Sequence, residues 1–149
     1  MSYSNPRQKR TILLIEDNTD DIYFIENALQ KSDRKHELHT VKDGVEALKY
    51  LRREPPYEKS RRPSLILLDL KMPKMSGLEV LKHIKEDENL RPIPVVVLTT
   101  SDADGDAAAS YDLQATAFIT KPKDLDAFAG VIERIEKFWL GVAQLPSSD

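Results

Sequence analysis

Apolar residues follow two alternating patterns along the chain, short continuous runs and longer stretches with helical spacing. The runs TILLIE (11–16), SLILLD (64–69) and PVVVLT (94–99) are apolar almost throughout. Such runs are typical of parallel strands in a sheet that helices cover on both faces. The stretches between them place apolar residues three or four positions apart, as an amphipathic helix does. The pattern therefore predicts strands and helices in alternation.

The alternation predicts a doubly wound α/β fold with a five-stranded parallel sheet in the order 2-1-3-4-5. Strands are predicted at 11–16, 36–41, 64–69, 94–99 and 115–120. Helices are predicted at 20–31, along Val45, Leu48 and Leu51, along Leu78, Leu81 and Ile84 after a capping box of Ser76 and Glu79, at 104–113 and at 124–142. The core stripe of the last helix is predicted to be Leu125, Phe128, Ile132, Ile135, Trp139 and Val142, with Val131 and Phe138 at its side.

Length and composition indicate one globular domain. The 149 residues are 40% hydrophobic and 32% charged, with a net charge of −3 and no cysteine. This composition gives no electrostatic case for nucleic acid or an anionic membrane, and it excludes disulfides and thiolate chemistry. The N-terminus has no apolar signal region, and we expect a cytoplasmic protein. We expect an arm at 1–10, the domain at 11–142 and a tail at 143–149.

One charged segment interrupts this domain. RREPPYEKSRRP (52–63) contains three prolines among charges and predicts an extended connecting loop. Its Lys/Arg cluster, like that at 7–10, is interpreted as solvated charge, with a contact to a kinase as the lesser possibility. The chain after Lys121 is too short for a DNA-binding or other output domain, so we expect none.

Polar and charged residues follow four of the predicted strands at the point where each ends. Glu16 and Asp17 follow the first, Asp69 ends the third, Thr99 ends the fourth and Lys121 follows the fifth. The carboxyl ends of parallel strands share one edge of the sheet, where doubly wound folds bind ligands. All-oxygen ligands favour Mg²⁺ or Mn²⁺. One carboxylate beside such an ion can act as a nucleophile and form an aspartyl phosphate.

These residues, at these spacings, resemble the receiver domain of two-component response regulators over about residues 10–137. Asp69, Met72, Pro73 and Gly77 complete the family's D-x-x-M-P-x-x-x-G pattern. Lys121 with its following proline resembles the family's Lys-Pro after strand five. The resemblance implies a flavodoxin-like fold in which a histidine kinase phosphorylates Asp69.

The resemblance also implies a metal site. Asp17, Asp69 and the backbone carbonyl of Lys71 would bind Mg²⁺, for which Mn²⁺ can substitute, and Glu16 would act largely through water. The acidic pair is Glu-Asp where the family commonly has Asp-Asp. The longer first side chain is expected to alter metal affinity.

Two further residues resemble the family's switch. Thr99 matches the switch hydroxyl, with the adjacent Thr100 as the weaker candidate. Phe118 stands three residues before Lys121, where the family carries its mobile aromatic residue. Because Phe118 lacks the hydroxyl of the commoner Tyr, its switch is expected to operate by packing alone.

The 52–63 loop and the tail FWLGVAQLPSSD resemble those of the small response regulators that pair with bacterial phytochrome histidine kinases. That narrower resemblance implies a phytochrome partner. The output is then a surface changed by phosphorylation or transfer of the phosphoryl group to another protein. We also expect a homodimer through strand four, helix four, strand five and helix five.

Three other classes share parts of this pattern. A Toprim-type nucleic-acid enzyme has D-x-D after a later strand, where this chain has Asp69-Leu70-Lys71. A haloacid-dehalogenase-like phosphatase has D-x-D after its first strand, where this chain has EDNTD. A pseudo-receiver binds partners without phosphorylation and usually lacks the acceptor Asp or the Lys, both of which are present here.

Overall fold

The computed structural model describes residues 10–31, 36–100 and 104–142. Its centre is a five-stranded, all-parallel sheet in the order β2-β1-β3-β4-β5, which confirms the predicted topology. The strands are β1 (Arg10–Ile15), β2 (His36–Val41), β3 (Leu65–Leu68), β4 (Val95–Thr99) and β5 (Ala117–Thr120). Ile15 is paired with Leu68 and Thr99 with Thr120, so neighbouring strands end side by side at one edge, hereafter the carboxyl edge.

In the described ranges four α-helices connect the strands and a fifth follows β5: α1 (Thr19–Gln30), α2 (Gly44–Leu51), α3 (Gly77–Glu86), α4 (Asp104–Asp112) and α5 (Leu125–Glu136). Four of them begin at a side chain that accepts a hydrogen bond from a backbone N–H of the first turn: Asn18, Asp43, Ser76 and Asp124. The Ser76 cap accepts from the backbone N–H of Glu79 at 3.3 Å, as the capping-box pattern predicts. None of the helices in the described ranges is both long and apolar enough to cross a membrane.

The sheet buries both of its faces because its central strands are apolar at successive positions. Leu13, Ile15, Ile66 and Leu68 pack against α2 and α3 in one core. The alternate positions Ile12, Leu14, Leu65 and Leu67 pack against α1 and α5 in the other. These two cores fix the central strands rigidly.

Two apolar residues that served to predict helices are exposed: Val45, which marked the second helix, and Leu125, which was predicted to lie in the core stripe of the last helix. Val45 is 37% exposed because the inward stripe of α2 begins one residue earlier, at Gly44, and continues through Ala47 and Leu48. Leu125 is 64% exposed because it is the first residue of α5, and the buried stripe of that helix begins at Phe128. The remaining α5 stripe, Phe128, Ile132 and Ile135, is buried as predicted.

The last helix is not one α-helix to residue 142. It ends at Glu136, and a π-helical segment, Lys137–Val142, follows. A π-helix places more residues in each turn, which shifts the spacing of inward positions. Leu140 is therefore buried, Trp139 is half-buried and Phe138 is 50% exposed. The side chain of Val142, predicted to complete the stripe, lies outside the described residues.

The 52–63 segment forms neither a helix nor a strand. Its backbone folds back in successive turns, with the Tyr57 N–H donating to the Glu54 carbonyl at 2.7 Å and the Ser60 N–H donating to the Tyr57 carbonyl at 3.0 Å. The Tyr57 hydroxyl donates to Glu46 at 2.6 Å, and its ring packs edge-on against Tyr50. Aromatic packing against α2 thus holds this connecting loop against the domain.

Candidate phosphoacceptor site

Three carboxylates converge at the carboxyl edge. Glu16 and Asp17 directly follow β1, and Asp69 directly follows β3, the neighbouring strand. One oxygen from each lies within 4.8 Å of the other two. Glu16 and Asp69 are buried, whereas Asp17 is exposed. We call this set the acidic cluster.

Lys121 brings a positive charge into the acidic cluster from the end of β5. Its backbone N–H donates to the Thr99 carbonyl at 2.8 Å, which fixes the start of its side chain beside β4. Its ammonium group donates to Glu16 and, at 2.8 Å, to Asp21, and it lies 3.9 Å from Asp69. Only 4% of the Lys121 side chain is exposed. A buried ammonium at this position requires acidic partners, and it has three.

Asp21 is a site residue that the sequence reasoning missed. It lies in the first turn of α1, five positions after Glu16, and its backbone N–H is bound by the Asn18 cap. The one sequence feature that could have indicated Asp21 was its place in the first turn of the helix that begins at the acidic cluster. That signal is weak, because acidic residues are common in first turns for reasons of helix stability alone.

Thr99 also belongs to the site, and Thr100 does not. Thr99 is fully buried, and its hydroxyl hydrogen-bonds the Asp69 carboxylate, whereas Thr100 is exposed. The hydroxyl lies where it can bind Asp69 or an oxygen of a group attached to Asp69. Of the two threonines, Thr99 is therefore the one that lies at Asp69.

Burial dominates the electrostatics of the site. It raises the pKa of Glu16 to about 7, although the hydrogen bond from Lys121 acts in the opposite direction. It also raises the pKa of Asp69, against the charge of Lys121 and the hydrogen bond from Thr99. Burial acts to lower the pKa of Lys121, but hydrogen bonds to Asp21 and Glu16 outweigh it, so the pKa is raised. The site therefore holds more buried negative charge than one ammonium stabilises.

The segment after Asp69 turns sharply into α3. The Gly77 N–H donates to the Leu70 carbonyl at 2.8 Å, and a Cβ on Gly77 would lie 2.2 Å from the Asp69 carbonyl oxygen. Only glycine permits this approach of helix to strand end. Met72 is half-buried against the core between the sheet and α2/α3, and Lys71 is exposed. Gly77 of the D-x-x-M-P-x-x-x-G motif thus allows the backbone to turn closely around Asp69.

Phe118 lies apart from the acidic cluster. It is paired with Val97 in β4, two residues before Thr99, and is half-buried against the core that contains α2 and α3. Its backbone N–H donates to the Tyr111 hydroxyl of α4 at 3.2 Å. The structure therefore brings Glu16, Asp17, Asp69, Thr99 and Lys121 together. Phe118 lies outside this group.

The donor set fits a hard divalent cation. It consists of carboxylate oxygens, with no histidine among the clustered residues that the structure describes. Mg²⁺ and Mn²⁺ prefer such ligands, and Mg²⁺ commonly uses one or two carboxylates with several waters. A dication would also offset the buried negative charge that Lys121 leaves unbalanced.

A sheet of order 2-1-3-4-5 with acids after β1 and β3 and a lysine after β5 defines a receiver domain. Residues 12–133 match the family model of the response regulator receiver domain, and the chain belongs to that family. Receiver domains bind Mg²⁺. Membership of this family replaces the Toprim-type and phosphatase interpretations.

Comparison with individual proteins of this family gives the following relatives. The chain is 43% identical over 145 residues to the response regulator Rcp1 of Synechocystis sp., with 97% of each protein covered. It superimposes on the phosphorylated cyanobacterial phytochrome response regulator RcpA with a TM-score of 0.92 and 48% identity, covering 94% of this chain and all of that one. The Mn(2+)-bound form of Rcp1 gives a TM-score of 0.89 at 43% identity, covering 92% and 99%.

Proposed function

We propose that Asp69 accepts a phosphoryl group from a histidine kinase and that the phosphorylated protein signals by a changed surface or by phosphorelay. The observation that carries this proposal is the surroundings of the Asp69 carboxylate. It is buried, it lies 3.9 Å from the Lys121 ammonium, and it is hydrogen-bonded by Thr99. A nucleophile, a cation and a hydroxyl donor thus lie together in one small site.

The transfer is a displacement at phosphorus. An Asp69 carboxylate oxygen forms a bond to phosphorus while the bond from phosphorus to the histidine nitrogen breaks, and the imidazole leaves with that electron pair. Lys121 and the Thr99 hydroxyl stabilise the negative charge on the phosphoryl oxygens. The same acyl phosphate then reacts slowly with water, which returns Asp69 and phosphate.

The acidic cluster would hold the ion. Asp17, Asp69 and the Lys71 carbonyl would bind Mg²⁺ directly, and Glu16 would act largely through water. The ion supplies positive charge to the phosphoryl oxygens. In the phosphorylated state Thr99 binds a phosphoryl oxygen, and Phe118 repacks to transmit the change.

Incubation with Mg²⁺ and acetyl phosphate, followed by intact mass measurement, tests the phosphoacceptor. We expect one phosphoryl adduct that hydroxylamine removes and that is absent from Asp69→Asn. Asp126→Asn, which changes an exposed acid of α5, is the matched control and should form the adduct. If the wild type takes up nothing at millimolar donor, the pseudo-receiver interpretation is favoured instead.

The cognate kinase is proposed to be a phytochrome. The likeness to RcpA, itself a cyanobacterial phytochrome response regulator, supports this pairing. Transfer from a purified, autophosphorylated cyanobacterial phytochrome to the wild type, and not to Asp69→Asn, is the expected result. Faster transfer from an unrelated histidine kinase would overturn the pairing and leave the phosphoacceptor proposal intact.

The proposed assembly is a homodimer through β4, α4, β5 and α5. Tyr111 is 54% exposed on α4, close to the half-buried Phe118 of β5, so an aromatic surface is available there. Sedimentation at tens of micromolar protein should show a dimer. A monomer both with and without phosphorylation would contradict this assembly.

A further inference from the structure

A second concentration of charge lies at the opposite edge of the sheet, where the strands begin. A cavity of about 390 Å³ is formed there by the end of α2, the 60–63 segment before β3 and the turn after α3. Four of its lining residues are arginines: Arg52, Arg53, Arg61 and Arg62. We call this cavity the arginine pocket. The receiver function assigns no role to it.

The positive charge of the arginine pocket is unbalanced. Within residues 10–31, 36–100 and 104–142, none of the four guanidinium groups forms an ion pair. Asp87 is the one acid that lines the cavity, and its carboxylate already accepts from the N–H groups of Asn89 and Leu90 at 2.8 and 3.2 Å. Burial and then the like charge of Arg53 lower the pKa of Arg62, and the charge of Asp87 offsets them only in part. The arginines therefore repel one another with little compensation.

The neutral polar groups of the arginine pocket are already used inside the protein. The Tyr50 hydroxyl donates to the Arg61 carbonyl and the Ser60 hydroxyl donates to the Tyr50 carbonyl, each at 3.1 Å. One Arg62 nitrogen donates to the Asn89 side chain at 3.3 Å, which orients that guanidinium. The donors that remain for a ligand are therefore the guanidinium N–H groups and the side-chain amide of Asn89.

Arg53 occupies a backbone position that favours glycine. Its φ is 57°, immediately after α2, and hydrogen bonds from Arg53 to the Tyr50 carbonyl and from Glu54 to the Lys49 carbonyl close the helix end. Glycine is the usual residue at this left-handed helix terminus. Arginine here costs backbone energy and adds a fourth cation to the cavity. The side chain is therefore a candidate for a role outside the fold.

We propose that the arginine pocket binds a small soluble anion of the diphosphate class. A guanidinium group can donate two parallel hydrogen bonds to a phosphate. Four guanidinium groups and a single carboxylate leave the cavity with an excess of positive charge, which matches a multiply charged anion. The site is a recess in a protein of net charge −3, so a small anion suits it better than a nucleic acid or a membrane surface. It lies at the far edge of the sheet from Asp69, so both sites can be occupied together.

Calorimetric titration with pyrophosphate at low salt, without divalent cations, tests this proposal. We expect one saturable site per chain and binding about tenfold or more weaker in Arg53→Gly, because a charge-assisted contact is lost. Arg53→Gly should melt at or above the wild-type temperature, which separates lost binding from lost folding. Arg134→Gln, which removes an exposed charge of α5, and Asp69→Asn should both retain wild-type affinity.

Amide chemical shifts locate the bound anion. We expect changes confined to residues 52–53, 60–62 and 87–90, with none at Glu16, Asp69 or Lys121. The proposal is overturned if pyrophosphate does not saturate at millimolar concentration, or if Arg134→Gln weakens binding as much as Arg53→Gly. Tighter binding to phosphoinositide vesicles or to RNA than to pyrophosphate would also overturn it.

Discussion

The two edges of the sheet both concentrate charge, but the carboxyl edge buries and pairs its charges while the opposite edge leaves them open. At the carboxyl edge Lys121 and Glu16, 105 positions apart in sequence, are in contact, with 4% and 1% of their side chains exposed. At the opposite edge the four arginines come from a single loop and the end of the preceding helix. Arg52, Arg53 and Arg61 are exposed.

This difference separates two ways of making a site. Buried charges at the carboxyl edge are held in fixed positions by two packed cores, which suits a chemical step that needs preorganised groups. Exposed arginines keep most of their solvation, which suits reversible binding of an anion. The comparison predicts that substitutions at the carboxyl edge have the larger effects on stability.

Removal of Lys121 should have the largest effect on the free energy of unfolding. Lys121→Met leaves Glu16 and Asp69 buried without their cation, and we expect the free energy of unfolding without metal to fall by about 3 kcal/mol. Lys85→Met, at the opposite edge, removes hydrogen bonds to the Arg91 and Ile93 carbonyls and should cost about 1 kcal/mol. Urea unfolding at neutral pH measures both. Equal losses would contradict the contrast between the edges.

Gly77→Ala should have the next largest effect. The added Cβ would lie 2.2 Å from the Asp69 carbonyl oxygen and 2.6 Å from the Leu70 Cα, so backbone must move. We expect a loss of about 2 kcal/mol and slower phosphoryl uptake at Asp69.

Gly130→Ala is the matched control. A Cβ on Gly130, inside α5, meets nothing within 4 Å, so alanine should stabilise the helix by about 1 kcal/mol. Urea unfolding and the rate of adduct formation from acetyl phosphate distinguish the two variants. A Gly77→Ala protein as stable and as reactive as Gly130→Ala would show that the close approach has no importance.

Removal of the Tyr57 hydroxyl should have the smallest effect on stability, and that effect should disappear in alkali. The hydrogen bond to Glu46, with some burial, raises its pKa to about 12. Because the folded pKa lies above the unfolded value near 10, the stabilisation is complete below pH 10 and is lost as the pH rises towards 12. Wild-type stability should therefore fall more steeply than that of Tyr57→Phe across this interval.

Urea unfolding at several pH values, with phenolate absorbance, measures this difference, which should stay below about 1 kcal/mol. Tyr23→Phe, at a side chain 71% exposed, is the control and should follow the wild type. Parallel curves for wild type and Tyr57→Phe would mean that the hydroxyl does not hold the 52–63 segment to α2.

The strands and the members of the site were largely predictable from local pattern. Continuous apolar runs located β1, β3 and β4 to within one residue, because a strand buried on both faces has no alternative pattern. The D-x-x-M-P-x-x-x-G pattern included Gly77, which is required by a contact with the backbone of Asp69 and Leu70 only a few residues away. The exposure of Val45 and Leu125 was missed because periodicity alone does not fix where a helix begins to meet its sheet.

The chain alone determined a parallel α/β receiver domain and the set of acids, hydroxyl and lysine at its strand ends, since these follow from patterns that act over a few residues. Only the tertiary structure decided that Asp21 joins Lys121 and that Thr99, not Thr100, reaches Asp69. It also decided that the prolines and arginines of 52–63 fold into a compact segment beside a cavity. These depend on distances between segments far apart in sequence, which packing of the whole chain sets.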